Sequence, residues 1–139
     1  MPEIKSLTIG QVVAEKVFKI TRDSLVRYAG ASGDFNPIHY RDDVAKSVGL
    51  PGVLAHGMLT MGASISPVIA WAGSPLAVVD YSVRFTKPVV VPPTGYAELK
   101  VVATVGLIEE ENSRVRIDLT TTFEENTVLG KAQAWVKLS

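Results

Sequence analysis

The chain has 139 residues, 14 Lys plus Arg against 14 Asp plus Glu, two histidines and no cysteine. That length fits one domain, residues 1–139, with a real hydrophobic core, and zero formal net charge gives no bulk pull toward nucleic acid or anionic lipid. Disulfide and thiolate chemistry are excluded, and two histidines argue against a histidine-rich metal site. The opening MPEIKSLTIGQ has no basic stretch followed by an apolar one, so a cytoplasmic protein without a secretory signal is the expectation.

Residues 11–20, QVVAEKVFKI, read as a first strand. Thr21 is placed to cap a short helix over Arg22–Ala29, with Asp23 at its positive end and Gly30 and Gly33 as stops. A second short helix starts at Asp42 or Asp43, carries Val44, Ala45 and Val48 on one side, and stops at Gly49. The turn GLPG, residues 49–52, leads into the longest apolar run of the chain, Val53–Ala72.

In that run Leu54, Met58, Met61, Ile65, Val68, Ile69 and Ala72 recur at helical steps, and Ala55, Leu59 and Ala63 widen the apolar arc. A helix apolar nearly all round has to be covered on most sides. A membrane span is the rival reading, but His56, Thr60, Ser64, Ser66 and Pro67 interrupt the roughly twenty apolar residues a bilayer requires. Gly57 falls in the first turn, where backbone N–H groups have no intrahelical partner. Together with the positive end of the helix dipole they suit a developing negative charge. The competing reading is that Gly57 only relieves crowding.

Beyond Gly73-Ser74-Pro75 the period becomes two. Val79, Tyr81, Val83 and Phe85 alternate with polar residues. So do Ala97–Leu107, Val115–Phe123 and Ala132–Leu138, separated by a proline-punctuated connection over 87–95 and polar turns at Glu109–Ser113 and Glu124–Thr127. Clean alternation gives each strand one buried and one wetter face, as in an antiparallel sheet. The class is therefore α+β, one antiparallel sheet curled around one apolar helix. Its two edges favour a dimer.

The segment Gly33-Asp34-Phe35-Asn36-Pro37-Ile38-His39 holds a carboxylate, an amide and an imidazole within six residues. Asn36-Pro37 argues against a helix there, and the proline stiffens the loop. A carboxylate and an imidazole converging on one water can orient it and move its proton near neutral pH. Against this, Asp and Asn are ordinary turn residues. His56 is a second candidate, for binding or orienting a substrate, but reads first as a core histidine satisfied by a backbone group. Ser64 and Ser66 are nucleophiles only with a base beside them, and Arg84 reads as solvated or paired.

The run YAGASGDFNPIH, residues 28–39, with AHGM at 55–58, resembles the two motifs of MaoC-like proteins. These are (R)-specific enoyl-thioester hydratases and (3R)-hydroxyacyl-thioester dehydratases of the hot-dog fold. The likeness runs from about Thr21 to the last strand and is strongest to the B-type catalytic subunits of actinobacterial dehydratases. It implies that Asp34 and His39 activate the catalytic water, Gly57 offers its N–H to the thioester carbonyl, and Asn36 orients loop or water. It also implies an acyl-CoA or acyl-carrier-protein substrate, a homodimer or a heterodimer with a related subunit, and no metal or redox cofactor. Ile65 stands where the homodimeric CoA hydratases carry a serine contacting the thioester, a departure that fits longer acyl groups. A hot-dog thioesterase, a non-catalytic partner subunit and a simple acyl-binding or regulatory module are the alternatives. The first is expected to carry a carboxylate at the long helix, and there is no Asp or Glu between Val53 and Val79; the second is expected to lack Asp34 or His39.

Overall fold

A computed structural model describes residues 1–139. The elements are β1 (Val12–Ile20), α1 (Arg22–Ser32), α2 (Asp42–Ser47), α3 (Gly57–Ala72), β2 (Val78–Phe85), β3 (Ala97–Glu109), β4 (Arg114–Phe123), β5 (Asn126–Thr127) and β6 (Leu129–Lys137). The strands form one antiparallel sheet in the order β1-β3-β4-β6-β2, with β5 a short hairpin arm on β4. The alternation explains why they pair this way. Leu99, Val101, Ala103 and Val105 of β3, Val115, Ile117 and Leu119 of β4, and Ala132, Ala134 and Val136 of β6 are all buried. This inner face curls around α3, whose Val68 and Ala72 are fully enclosed and whose Ile65 packs against the same core. No helix is long and apolar enough to cross a membrane.

Several expectations shift. The first short helix runs on through Gly30 to Ser32 and ends at Gly33 in the left-handed region (φ 76°). Its N-terminus is a full capping box between Thr21 and Ser24. On α2 only Ala45 is buried and Val48 is exposed. The long helix begins at Gly57 with His56 as its N-cap, at the late end of the expected range Val53–His56, because residues 53–55 are extended. They pair with 89–91 through Ala55 N–H to Val89 O (2.9 Å), Val91 N–H to Val53 O (2.9 Å) and a Leu54–Val90 bridge. As expected, α3 is covered on most sides; Met58, Gly62 and Ala70, at four- and eight-residue steps, leave one bare stripe. The turn after β4 contains the two-residue β5, with Glu124 and Glu125 both at positive φ, the backbone of a tight hairpin.

Two parities are broken by bulges. Register shifts in β2 leave Val79 and Phe85 exposed on an edge strand, while Tyr81 is held to α3 by its hydroxyl donating to Met61 O (2.8 Å). A shift between Val105 and Leu107 turns Leu107 outward. Pro67 sits inside α3 and lacks the N–H that would bond Ala63 O; the Ser66 hydroxyl takes that carbonyl instead (2.9 Å).

One ion pair ties α1 and α2 to the segment before α3 and to the connection between β2 and β3. Arg22 donates to both oxygens of Asp42 (2.9 and 3.1 Å) and to Val91 O (2.8 Å), and Asp42 also accepts the Val53 N–H (3.1 Å). The Arg22 hydrogen bonds, then the Val53 N–H, hold the Asp42 carboxyl below its usual 3.8. A depressed folded value means this stabilisation is present above the unfolded value and is lost as pH falls through the folded one. Arg22→Met is expected to cost about 1–2 kcal/mol by urea denaturation at neutral pH, since it strands Val91 O and Asp42 together. The loss should shrink in acid.

Candidate active site

The loop 34–39 is laced to the strand that precedes α3. Leu54 N–H donates to Ile38 O (3.0 Å), and His39 Nδ1 lies 2.8 Å from Leu54 O. A carbonyl only accepts, so Nδ1 carries the proton and Nε2 of the neutral ring is left with a free lone pair. Asn36 caps the short turn Pro37–His39 by accepting the Ile38 N–H at 3.2 Å, which aims the loop. Asp34 is tied down at its N–H by Ser32 Oγ (3.2 Å) and at Oδ1 by the Asn36 N–H (3.1 Å). Its Oδ2 remains free and lies 4.0 Å from His39 Nε2. That is too long for a direct hydrogen bond and suits one water touching both at about 2.8 Å.

His56 is 1 % exposed. Its Nε2–H donates to Asp34 O (3.2 Å), and its ring stacks on His39 with centroids 3.9 Å apart and meets Tyr28 edge-on at 4.6 Å. His56 is thus buried in the core and bonded to backbone at one ring nitrogen, its partner being the carbonyl of Asp34 itself. Nδ1 of His56 is sealed and unpartnered. Burial, with a smaller push from neighbouring His39, lowers the His56 pKa below 6.5 despite the Asp34 carbonyl, so the ring is neutral at neutral pH. Because the unfolded chain takes up this proton first, stability is expected to fall as pH drops from about 6.5 toward the lower folded value. His56→Gln should flatten that slope in urea melts between neutral and mildly acidic pH.

Gly57 opens α3. Neither its N–H nor that of Met58 has a partner in the chain; the bonds at this end start with Leu59 and Thr60 N–H to His56 O. A cavity of about 280 Å³ adjoins it, bordered by His39, Leu54, Gly57, Thr60, Phe85 and Lys87 among others. The Phe85 ring lies over Gly57 so closely that a Cβ there would sit 3.0 Å from Cε1. Asp34 is half-exposed beside His39 and does not itself border the cavity. Ile65 does not reach it either; it packs into the core two turns further along α3. Ser64 bonds Thr60 O and Thr121 Oγ1 (both 2.8 Å) and Ser66 bonds Ala63 O, so neither has a base. Arg84 is an exposed residue on β2 without an ion pair. Phe85, Thr60 and Lys87 border the cavity although sequence reasoning gave them no place there. For Thr60 the available signal was its position three residues after Gly57.

Asp34, His39 and His56 bring possible ligand atoms within 4.8 Å of one another. The two imidazoles are nearly parallel (22°), so their in-plane lone pairs run side by side rather than converge on one ion. The constellation is one for proton transfer: a carboxylate, an imidazole with a free Nε2, and uncommitted amides across a small apolar cavity.

These features make a candidate acid–base site on a hot-dog fold. The family model "MaoC like domain" matches residues 5–123, and the chain belongs to this family. It is 45 % identical over 78 residues to the Mycobacterium tuberculosis 3-hydroxyacyl-thioester dehydratase X, covering 56 % of this chain and 27 % of that protein. Against the mitochondrial 3-hydroxyacyl-[acyl-carrier-protein] dehydratase of Arabidopsis thaliana it is 33 % identical over 125 residues, 88 % of this chain and 71 % of that one. The unliganded R-hydratase PhaJ1 of Pseudomonas aeruginosa superposes with a TM-score of 0.80 at 29 % identity, over 99 % of this chain and 86 % of that one. The chain thus spans about a quarter of the first of these relatives and most of the other two.

Proposed function

We propose that this chain, one hot-dog domain over 1–139, is a hydro-lyase that interconverts trans-2-enoyl and (3R)-hydroxyacyl thioesters in fatty acid metabolism. The observation that carries the reading is the 4.0 Å gap between Asp34 Oδ2 and His39 Nε2, beside a cavity that also borders the free N–H of Gly57. In the hydration direction, water held between Asp34 and His39 attacks C3. His39 Nε2 accepts its proton, electron density moves onto the thioester oxygen, and the Gly57 N–H stabilises that oxygen as it becomes enolate-like. The proton then goes to C2. Dehydration is the same path reversed. No electron transfer is involved, so no redox cofactor is required.

The substrate is an acyl-CoA or acyl-carrier-protein thioester. The cavity's apolar wall of Leu54, Val89, Val128 and Leu129 suits the acyl part. A cytoplasmic dimer is proposed, with a second copy or a related hot-dog subunit. Its interface is the β2 edge and the bare stripe of α3, where Val79, Phe85 and Met58 are each more than half exposed. The test is to purify the chain, measure its mass in solution, and follow loss of the conjugated double bond of enoyl thioesters on both carriers. Measurable hydration by the chain alone supports the assignment; binding without turnover would make it an acyl-binding or partner subunit.

A further inference from the structure

Thr60 is a side chain the mechanism above does not use. It is 4 % exposed and borders the cavity together with His39 and Gly57. Its backbone is committed on both sides: the N–H bonds His56 O (3.2 Å) and the C=O accepts from Ser64 Oγ (2.8 Å). Ser64 in turn is bonded to Thr121 on β4, which pins this turn of α3 to the sheet. The Thr60 hydroxyl makes no hydrogen bond in the chain. A helical threonine commonly bonds the carbonyl four residues back. Here that carbonyl, His56 O, already takes the Leu59 and Thr60 N–H groups. The one sealed side-chain atom lacking a partner is His56 Nδ1, so the Thr60 hydroxyl is in touch with open space, and the open space Thr60 borders is the cavity.

Helix geometry says where it reaches. Side chains tilt toward the N-terminus, so a residue covers the turn before its own, and positions three apart lie on one face. Three residues before Thr60 stands Gly57, with no side chain in the way. The Thr60 hydroxyl and the Gly57 N–H therefore serve the same end of the cavity. We propose that Thr60 is a catalytic residue, a second hydrogen-bond donor to the thioester carbonyl oxygen beside the Gly57 amide. The inference rests on the reading of the site as an enoyl-thioester hydratase. Thr60 forms and breaks no covalent bond; its donor strengthens as charge builds on the oxygen, and its backbone is already fixed for that task.

The test is steady-state hydration of an enoyl thioester by wild type, Thr60→Val, Thr60→Ala and Thr60→Ser, with thermal melts alongside. Val keeps the shape, Ala removes the hydroxyl without adding apolar bulk, and Ser keeps the hydroxyl. Val and Ala are expected to lower kcat by about 100-fold with KM little changed, the pattern of an interaction made in the transition state. Ser should restore most of the rate. An active wild type with Val and Ala near its kcat, with a rise in KM alone, or with Ser as impaired as Val overturns this inference and leaves the hydratase reading standing. An inactive wild type overturns both.

Discussion

Asp34→Asn and His39→Gln are each expected to lower enoyl-thioester turnover by about 100- to 10,000-fold, the range a positioned acid–base group supplies. Both substitutions keep size and remove proton transfer. In Asp34→Asn the amide oxygen can still accept the Asn36 N–H, as Asp34 Oδ1 does at 3.1 Å, so the turn holds. What is lost is the charged acceptor 4.0 Å from His39 Nε2. In His39→Gln the amide stands near the place of Nε2 but has no basicity to take a proton from the water, and the Nδ1 bond to Leu54 O is given up. The double variant should be little worse than the worse single one, because the two side chains act on one water as a unit. The measurement is kcat/KM on a short and a longer enoyl thioester. A single variant with near-wild-type turnover removes that residue from the mechanism.

Gly57→Val is the second large effect, about 100-fold or more in kcat. The amide cannot be deleted by mutation, but the approach to it can be closed. Even a Cβ at Gly57 meets the Phe85 ring at 3.0 Å, and valine adds two methyl groups where the substrate carbonyl has to pass. Folding should suffer little, since Gly57 is exposed, starts the helix, and has a φ that is not positive. The first atom the new side chain meets is the edge of the Phe85 ring, a side chain rather than backbone. A melt near that of wild type with turnover collapsed is the expected pairing. Gly57→Val combined with Phe85→Ala tells the two obstructions apart: if the ring alone blocks access, the smaller side chain returns activity.

How far the sequence could be read depended on where a local pattern met a long-range contact. The inward residues of β3, β4 and β6 were legible because each strand has neighbours on both sides and a clean period of two. On the edge strand β2 the rule failed. Its bulges change parity, and nothing local marks them, so Val79 and Phe85 looked like core. Leu107 failed for the same reason, one residue past the bulge at Gly106. The start of α3, legible only as somewhere between Val53 and His56, falls at the far end of that range because residues 53–55 are claimed by pairing with 89–91. In the site, the compact loop 34–39 was legible as chemistry, since its residue types stand close in sequence. The stacking of His56 on His39, the lid made by Phe85 and the uncommitted hydroxyl of Thr60 join segments far apart in the chain. No spacing rule reaches them.

The part of the cavity wall that comes from the C-terminal strands has a consequence for how activity appears during folding. Val128 and Leu129, at the entry to β6, close it, yet they lie some ninety residues beyond Asp34. Strand β6 also carries β2, which bears the Phe85 lid. A nascent or nicked chain can thus possess every proton-handling group and still have no chamber. Peeling β2 from β6 should silence turnover while β1, β3 and β4 keep their amide protons, so hydrogen exchange and catalysis would report two different openings of the same molecule.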